Sequence, residues 1–413
     1  MKKKIVFITS SLPNTYKGGG VLTAYSMLKA FSGRGFSIAL ISWSTYSASE
    51  EERMLADLGK IVSEVMLLKE KTVRRPEGLI ARLLRGCTIE DILPQTEYKE
   101  EVISAIRRVS PQAIIGYHWE SMAALIGYSE YPKCVLLGDP LNLPSLYRSR
   151  HGFKHAPLVS LKNIFKDMVL RRQTRSKQVM SQIFSSVDRV GAFAAHHAKD
   201  MSDEFSVDCR YVCTPVPQPE QRYFPENVYG NKVKLALVGH LKGIATLSGI
   251  ELFFLKVLPL LKADSVSKDI EVHVIGGFFD SLPKHIKTMM EDPMVKIPGH
   301  IDPIMPELLS SYALIVPTPI ELGIRVRIIT ALSYGLPVVA HSANAMGIPE
   351  LIDGDNSLLA SDAAGLAKKI KLIIQDKELH RSISHNALKT YKDRFSIETA
   401  GSRIVEMADG IIA

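Results

Sequence analysis

Residues 316–360 read VPTPIELGIRVRIITALSYGLPVVAHSANAMGIPELIDGDNSLLA. Residues 313–316 are the end of an apolar strand, and Pro317 and Pro319 break it. Glu321-Leu322-Gly323-Ile324 then forms a loop. Val326, Ile329, Ala331 and Leu332 recur roughly at helical spacing, and Gly335 caps the helix. Residues 336–340 form another short apolar strand, of the kind buried on both faces of a parallel sheet. A carboxylate at the carboxyl end of a strand, followed by an open helix N-terminus, is where an open α/β sheet binds phosphate-bearing ligands.

The same alternation extends outward in both directions. Residues 5–8, 38–42, 113–116, 134–138, 190–193 and 210–213 read as strands, separated by helical stretches such as 21–31 and 97–109. In the second half, 235–238 and 271–275 join 313–316 and 336–340 as strands, with helices near 248–261, 283–290 and 306–311. Such alternation predicts parallel strands joined by right-handed crossovers. A chain of 413 residues is too long for one ordinary core. The expectation is therefore α/β with two Rossmann-like domains, 1–214 and 231–395. Pro215, Pro217, Pro219 and Pro225 mark 215–230 as the linker.

Composition excludes several classes. With 46% hydrophobic and 23% charged residues the chain is globular, not disordered. The start, MKKKIVFITSSLP, imitates a signal peptide, but its apolar run is too short and reads better as a first buried strand. No apolar stretch looks long enough to span a membrane, which takes about 18 residues. Cys87, Cys134, Cys209 and Cys213 lack metal-ligand pairing and a disulfide-rich background, so free thiols and a reducing, cytoplasmic setting are expected. Asp353-Gly354-Asp355 is the only Asp-x-Asp string, and turn chemistry explains it better than a metal site.

The 316–360 segment resembles the donor-sugar site of retaining glycosyltransferases of the GT-B fold, family four in particular. That family carries E-G-F-G-x-x-x-x-E-A-x-x-x-G-x-P-V-V-A. Glu321, Gly323, Ala331, Gly335, Pro337, Val338, Val339 and Ala340 match it, allowing one inserted residue, and Pro349-Glu350 with Asp353-Gly354 continues the pattern. The resemblance implies two domains facing across a cleft, with the last helix, 396–413, crossing back onto the first. It implies that Glu321 binds donor-sugar hydroxyls and that the amides of Gly323, Ile324 and Arg325 surround sugar and diphosphate. Thr330 stands where the family has its second, ribose-binding glutamate. At the Arg and Lys site after the domain's first strand this chain has Gly239-His240-Leu241-Lys242-Gly243. His240 replaces the arginine, so Lys242 and Arg327 become the candidate cations for the diphosphate, and a solvated surface charge explains either equally.

In the first half, the three glycines of Lys17-Gly18-Gly19-Gly20 let backbone approach a ligand closely, and a plain flexible turn fits equally. By resemblance, Gly18, Gly19 and Gly20 face the donor. His118, in IIGYHWES, would by resemblance bond the transferred sugar, an ordinary satisfied histidine being the reading from the residue alone, and Asp139 ends the next strand where it would face the same cleft or simply make a turn.

Net charge is +8, and the basic residues cluster. One cluster holds Arg148, Arg150, Lys154, Lys162, Lys166, Arg171, Arg172, Arg175 and Lys177 around an apolar stripe of Leu161, Ile164, Phe165 and Met168. The other holds Lys69, Lys71, Arg74, Arg75, Arg82 and Arg85. Basic amphipathic helices suit an anionic membrane surface, and an ordinary helix packed by its apolar side suits the same pattern. No recognition motif for nucleic acid accompanies the charge. The resemblance implies a metal-independent glycosyltransferase with no cofactor. Its nucleotide-sugar donor is a co-substrate, and its acceptor is a glycan or lipid-linked glycan in surface polysaccharide synthesis. A nucleotide-sugar epimerase and a non-catalytic glycan-binding or partner subunit remain the alternatives.

Overall fold

The computed structural model describes residues 2–16, 18–44, 46–69, 87–155, 161, 164–165, 167–168, 171–229, 232–264 and 269–412. It divides into two compact units: Met1–Pro215 with Ala400–Ala413, and Val216–Thr399.

The strands of the first unit are β1 Lys4–Thr9, β2 Ser37–Ser44, β3 Glu64–Lys69, β4 Ala113–Tyr117, β5 Lys133–Leu137, β6 Arg189–Ala192 and β7 Cys209–Tyr211. All pair in parallel, in the order β3-β2-β1-β4-β5-β6-β7. Ile5, Val6, Phe7 and Ile8 are fully buried, as a central strand covered on both faces by crossover helices requires. Phe31 of the helix Gly20–Gly33 meets Phe7 and Phe36 edge-on, with ring centroids 6.5 and 5.4 Å apart. The helix Ser402–Asp409 returns to this unit, buries Ile404, Val405 and Ala408, and bonds Lys3 through Asp409.

The second unit has β8 Val233–Val238, β9 Ile270–Ile275, β10 Val295–Gly299, β11 Ala313–Val316, β12 Val338–His341 and β13 Leu358–Ala360. These are also all parallel, in the order β10-β9-β8-β11-β12-β13. In each sheet the strand order reverses once, between β1 and β4 and between β8 and β11. Those switch points open the crevices in which α/β sheets take ligands.

The helix expected near 248–261 is a longer run. It comprises Ile244–Leu252, a π turn at Phe253–Val257 and Leu258–Lys262. Pro259 has no N–H for the carbonyl of Leu255, and the widened turn absorbs the lost bond. Contrary to the sequence expectation, Ile244–Lys262 is apolar and long enough to cross a membrane. Most of it is buried in this unit, with Phe253, Phe254, Val257 and Leu261 fully enclosed.

The Pro-rich stretch after Thr214 is packed onto the second unit. Val216 pairs with Ser396, Tyr223 and Val228 are buried, and Tyr391 Oη donates to Val216 O at 3.0 Å. The four cysteines are free, and Cys134, Cys209 and Cys213 are buried.

Candidate functional site

In the second unit, polar groups converge where β8 and β11 diverge. Arg327 lies in the first turn of the helix Val326–Tyr334, whose N-cap, Arg325, makes no side-chain cap bond. Its guanidinium reaches across the switch point. Nη1 donates to Thr246 Oγ1 and Nη2 to Thr318 Oγ1, both at 3.4 Å, while Nε is enclosed with no acceptor. Thr246 belongs to the first turn of the helix Ile244–Leu252 after β8, and Thr318 follows β11. Among the described residues no acidic side chain pairs with Arg327. Burial, and then the positive charge of Arg325, lower its pKa to about 9.

Glycines make this approach possible. A side chain at Gly239 would meet Thr246 Oγ1 at 2.8 Å and Arg327 Nη1 at 3.0 Å, and one at Gly249 would meet Thr318 Oγ1 at 3.0 Å. Asn344 fixes the loop after β11 by donating to Val316 O, Thr318 O and His341 O. Beyond that anchor the loop carries Glu321 exposed, and Gly323 turns it with φ 63°. Ile324 and Arg325 are half-buried at the helix start, Lys242 is exposed, and Thr330 is half-buried within the helix. Gly335 ends that helix in the left-handed conformation, φ 82°.

The Asp353 string is a turn. Asp353 Oδ1 accepts from Leu359 N, and its carboxylate holds Lys369 Nζ. Among the described residues no three His, Cys, Asp or Glu side chains gather as a metal site.

The first unit has its own cluster at the β1/β4 switch point. Gly20 opens the helix after β1, and a side chain there would meet Tyr117 Oη at 3.2 Å and His118 Nε2 at 3.6 Å. His118 has φ 65° and ψ 170°, a strained backbone for a residue with a Cβ, while its amide donates to Leu136 O. Desolvation lowers its pKa against the opposing pull of Glu120, so the imidazole is held neutral. Gly138 leaves room for that ring, since a side chain there would meet His118 Cε1 at 2.7 Å. Asp139 follows directly. Its carbonyl accepts from Trp119 Nε1 at 2.7 Å, and its carboxylate Oδ1 is 3.4 Å from His197 Nδ1.

The structure thus groups Gly20, His118 and Asp139 in one unit and Gly239 and Arg327 in the other. Gly18 and Gly19 form the turn before the helix, Gly19 with φ 74°, and Lys17 lies outside the described residues. His197, Thr246 and Thr318 escaped the sequence reading. Thr246, four residues past Lys242 at a helix start, carried the one local signal that pointed to it. A cavity of about 570 Å³ lined by Phe254, Leu258, Lys262, Thr288, Met289 and Asp292, among others, contains none of these groups.

Apart from these clusters, Leu161, Ile164, Phe165 and Met168 are all exposed, so the apolar stripe of the basic segment is uncovered. Arg171 is exposed, Arg172 and Arg175 are half-buried, and Lys177 pairs with Glu204. Lys162 and Lys166 lie outside the described residues, as do Lys71, Arg74, Arg75, Arg82 and Arg85 of the other basic cluster.

No curated protein sequence matches the chain significantly. Solved structures resemble it along nearly its whole length. Sucrose-phosphate synthase from Thermosynechococcus elongatus superposes with a TM-score of 0.71 at 13% identity, covering 99% of both chains. HepE from Anabaena, crystallised with UDP and glucose, gives 0.68 at 14% identity, covering 98% of this chain and 99% of its own. A glycosyltransferase from Rickettsia africae gives 0.65 at 12% identity, covering 99% and 98%. At such identities the likeness speaks for fold alone. The chain has the two-domain α/β fold called GT-B, and residues 232–376, most of its second unit, match the family described as Glycosyl transferases group 1.

Proposed function

We propose that the protein is a metal-independent, retaining glycosyltransferase of the family-four type. It would move a sugar from a nucleoside-diphosphate sugar to a glycan or lipid-linked glycan. The observation that carries this reading is Arg327, a half-buried arginine whose Nε is enclosed and which pairs with no acidic side chain among the described residues, set at the β8/β11 switch point beside two helix starts. A buried cation without a counter-ion is costly, and a diphosphate supplies the missing charge. As the sugar–phosphate bond breaks, negative charge grows on the departing diphosphate. Fixed amides and a guanidinium stabilise it there without a metal ion. Glu321 is assigned to donor-sugar hydroxyls, Lys242 to the diphosphate, and the first unit's His118 and Asp139 to hydroxyl binding. The match to group 1 glycosyl transferases and the UDP and UDP-glucose bound by HepE support a nucleotide-sugar donor.

The exposed stripe Leu161, Ile164, Phe165 and Met168 beside arginines supports a further part of the proposal. The protein would work peripherally on the anionic cytoplasmic face of a membrane, where lipid-linked acceptors are held, in surface polysaccharide synthesis.

Thermal unfolding with UDP, GDP, ADP, CDP and dTDP and their sugars tests the donor reading. A ligand at a hundred times its dissociation constant stabilises by about 2.7 kcal/mol. One nucleotide is expected to raise the melting temperature, less so in Glu321→Ala when the sugar is attached. No shift from any of them would sink the reading. Release of an epimerised sugar without acceptor would identify an epimerase instead.

A further inference from the structure

Beside the phosphate-binding groups, two aromatic rings stand at the carboxyl ends of neighbouring strands. His240 follows β8 and Phe278 follows β9, with ring centroids 4.6 Å apart and planes inclined by 52°. Their loops are locked together. Gly239 N donates to Ile275 O at 3.0 Å and Leu241 N to Gly277 O at 3.3 Å. Gly276 passes so close that a side chain on it would meet Gly239 O at 1.9 Å.

Phe278 is out of place by ordinary packing rules. Its backbone is left-handed, φ 71°, which a bulky residue seldom adopts. The residue is 56% exposed, whereas the next one, Phe279, is half-buried with the Lys287 ammonium 5.7 Å from its ring. Strain that turns an aromatic face into solvent at a strand end is the pattern of a ligand clamp, not of a core. The placement suits the ligand already invoked. Gly239 leaves the space that Arg327 fills on one side and leads directly to His240 on the other.

We propose that Phe278, backed by His240, is the seat on which the donor's nucleobase stacks. This deepens the donor reading and rests on it. Every base has a π face, so the seat adds affinity for purines and pyrimidines alike and leaves the choice of base to other contacts.

The experiment measures, by calorimetry, the affinity of inorganic pyrophosphate and of the tightest-binding nucleoside diphosphate. It compares wild type, Phe278→Tyr and Phe278→Gly, the last keeping the left-handed backbone without strain. The glycine variant is expected to lose about tenfold or more in nucleotide affinity and little for pyrophosphate. Its melting temperature should stay level or rise, and Phe278→Tyr should bind like wild type. Undiminished nucleotide binding by the glycine variant overturns the seat while leaving the donor reading intact. So does an equal loss for both ligands. Wild type binding neither ligand would overturn the donor reading itself, and this inference with it.

Discussion

Arg327 carries the sharpest residue-scale prediction, because stability and function pull it in opposite directions. Its partly desolvated charge disfavours the empty fold, so Arg327→Met, similar in length and uncharged, should unfold at a higher temperature than wild type. The same variant should lose about 1.5–3 kcal/mol of nucleoside-diphosphate affinity, the scale of a charge-assisted bond. A structural arginine would show a fall in both.

At the scale of elements, the central strands were legible because burial on both faces leaves continuous runs such as Ile5–Ile8 and Ala313–Val316. The strands that went unread, β3, β10 and β13, all lie at or next to a sheet edge. β10 alternates buried and exposed residues and contains Pro298, and β13 has three residues. Edges keep one side open and so lack the apolar run that betrays the centre. The clusters were half legible for a related reason. Gly239 and Arg327 sit in the quoted motifs, whereas Asp139 meets His197, and His240 meets Phe278, only after the sheet order is known. The basic segment shows the converse, since its helical stripe was plain in the sequence and its exposure was not. With that stripe open, Phe165→Asp with Met168→Asp should cut sedimentation with anionic vesicles by roughly tenfold or more, given about 1.5–3 kcal/mol per large apolar side chain. Neutral vesicles should bind wild type weakly. Equal binding of variant and wild type to anionic vesicles would remove the membrane from the proposal.

At the scale of the whole molecule, the second unit is clasped by its own entry segment. Tyr223 and Tyr229, on that segment, meet Tyr312 and the fully buried His380. A carbonyl can only accept, so His380 Nε2 carries the proton it donates to Tyr312 O at 2.9 Å, while Nδ1 lies 3.1 Å from Tyr229 Oη. Burial lowers the His380 pKa below 6.5, against an opposing hydrogen bond to Tyr312 O. The unfolded chain therefore binds the proton first. Stability supplied by neutral His380 is complete above pH 6.5 and declines as the pH falls from there toward the folded pKa. Denaturant titrations across that window should show the decline in wild type and a shallower one in His380→Gln. The division of the chain has a further consequence, for the nascent protein. Residues 216–399 emerge from the ribosome as one uninterrupted stretch and can close their core as they appear. The first unit begins earlier but waits for residues 400–413, whose helix buries Ile404 and Val405. A chain cut short before that helix would thus pair a finished second unit with a first unit still showing the apolar surface that chaperones and proteases recognise.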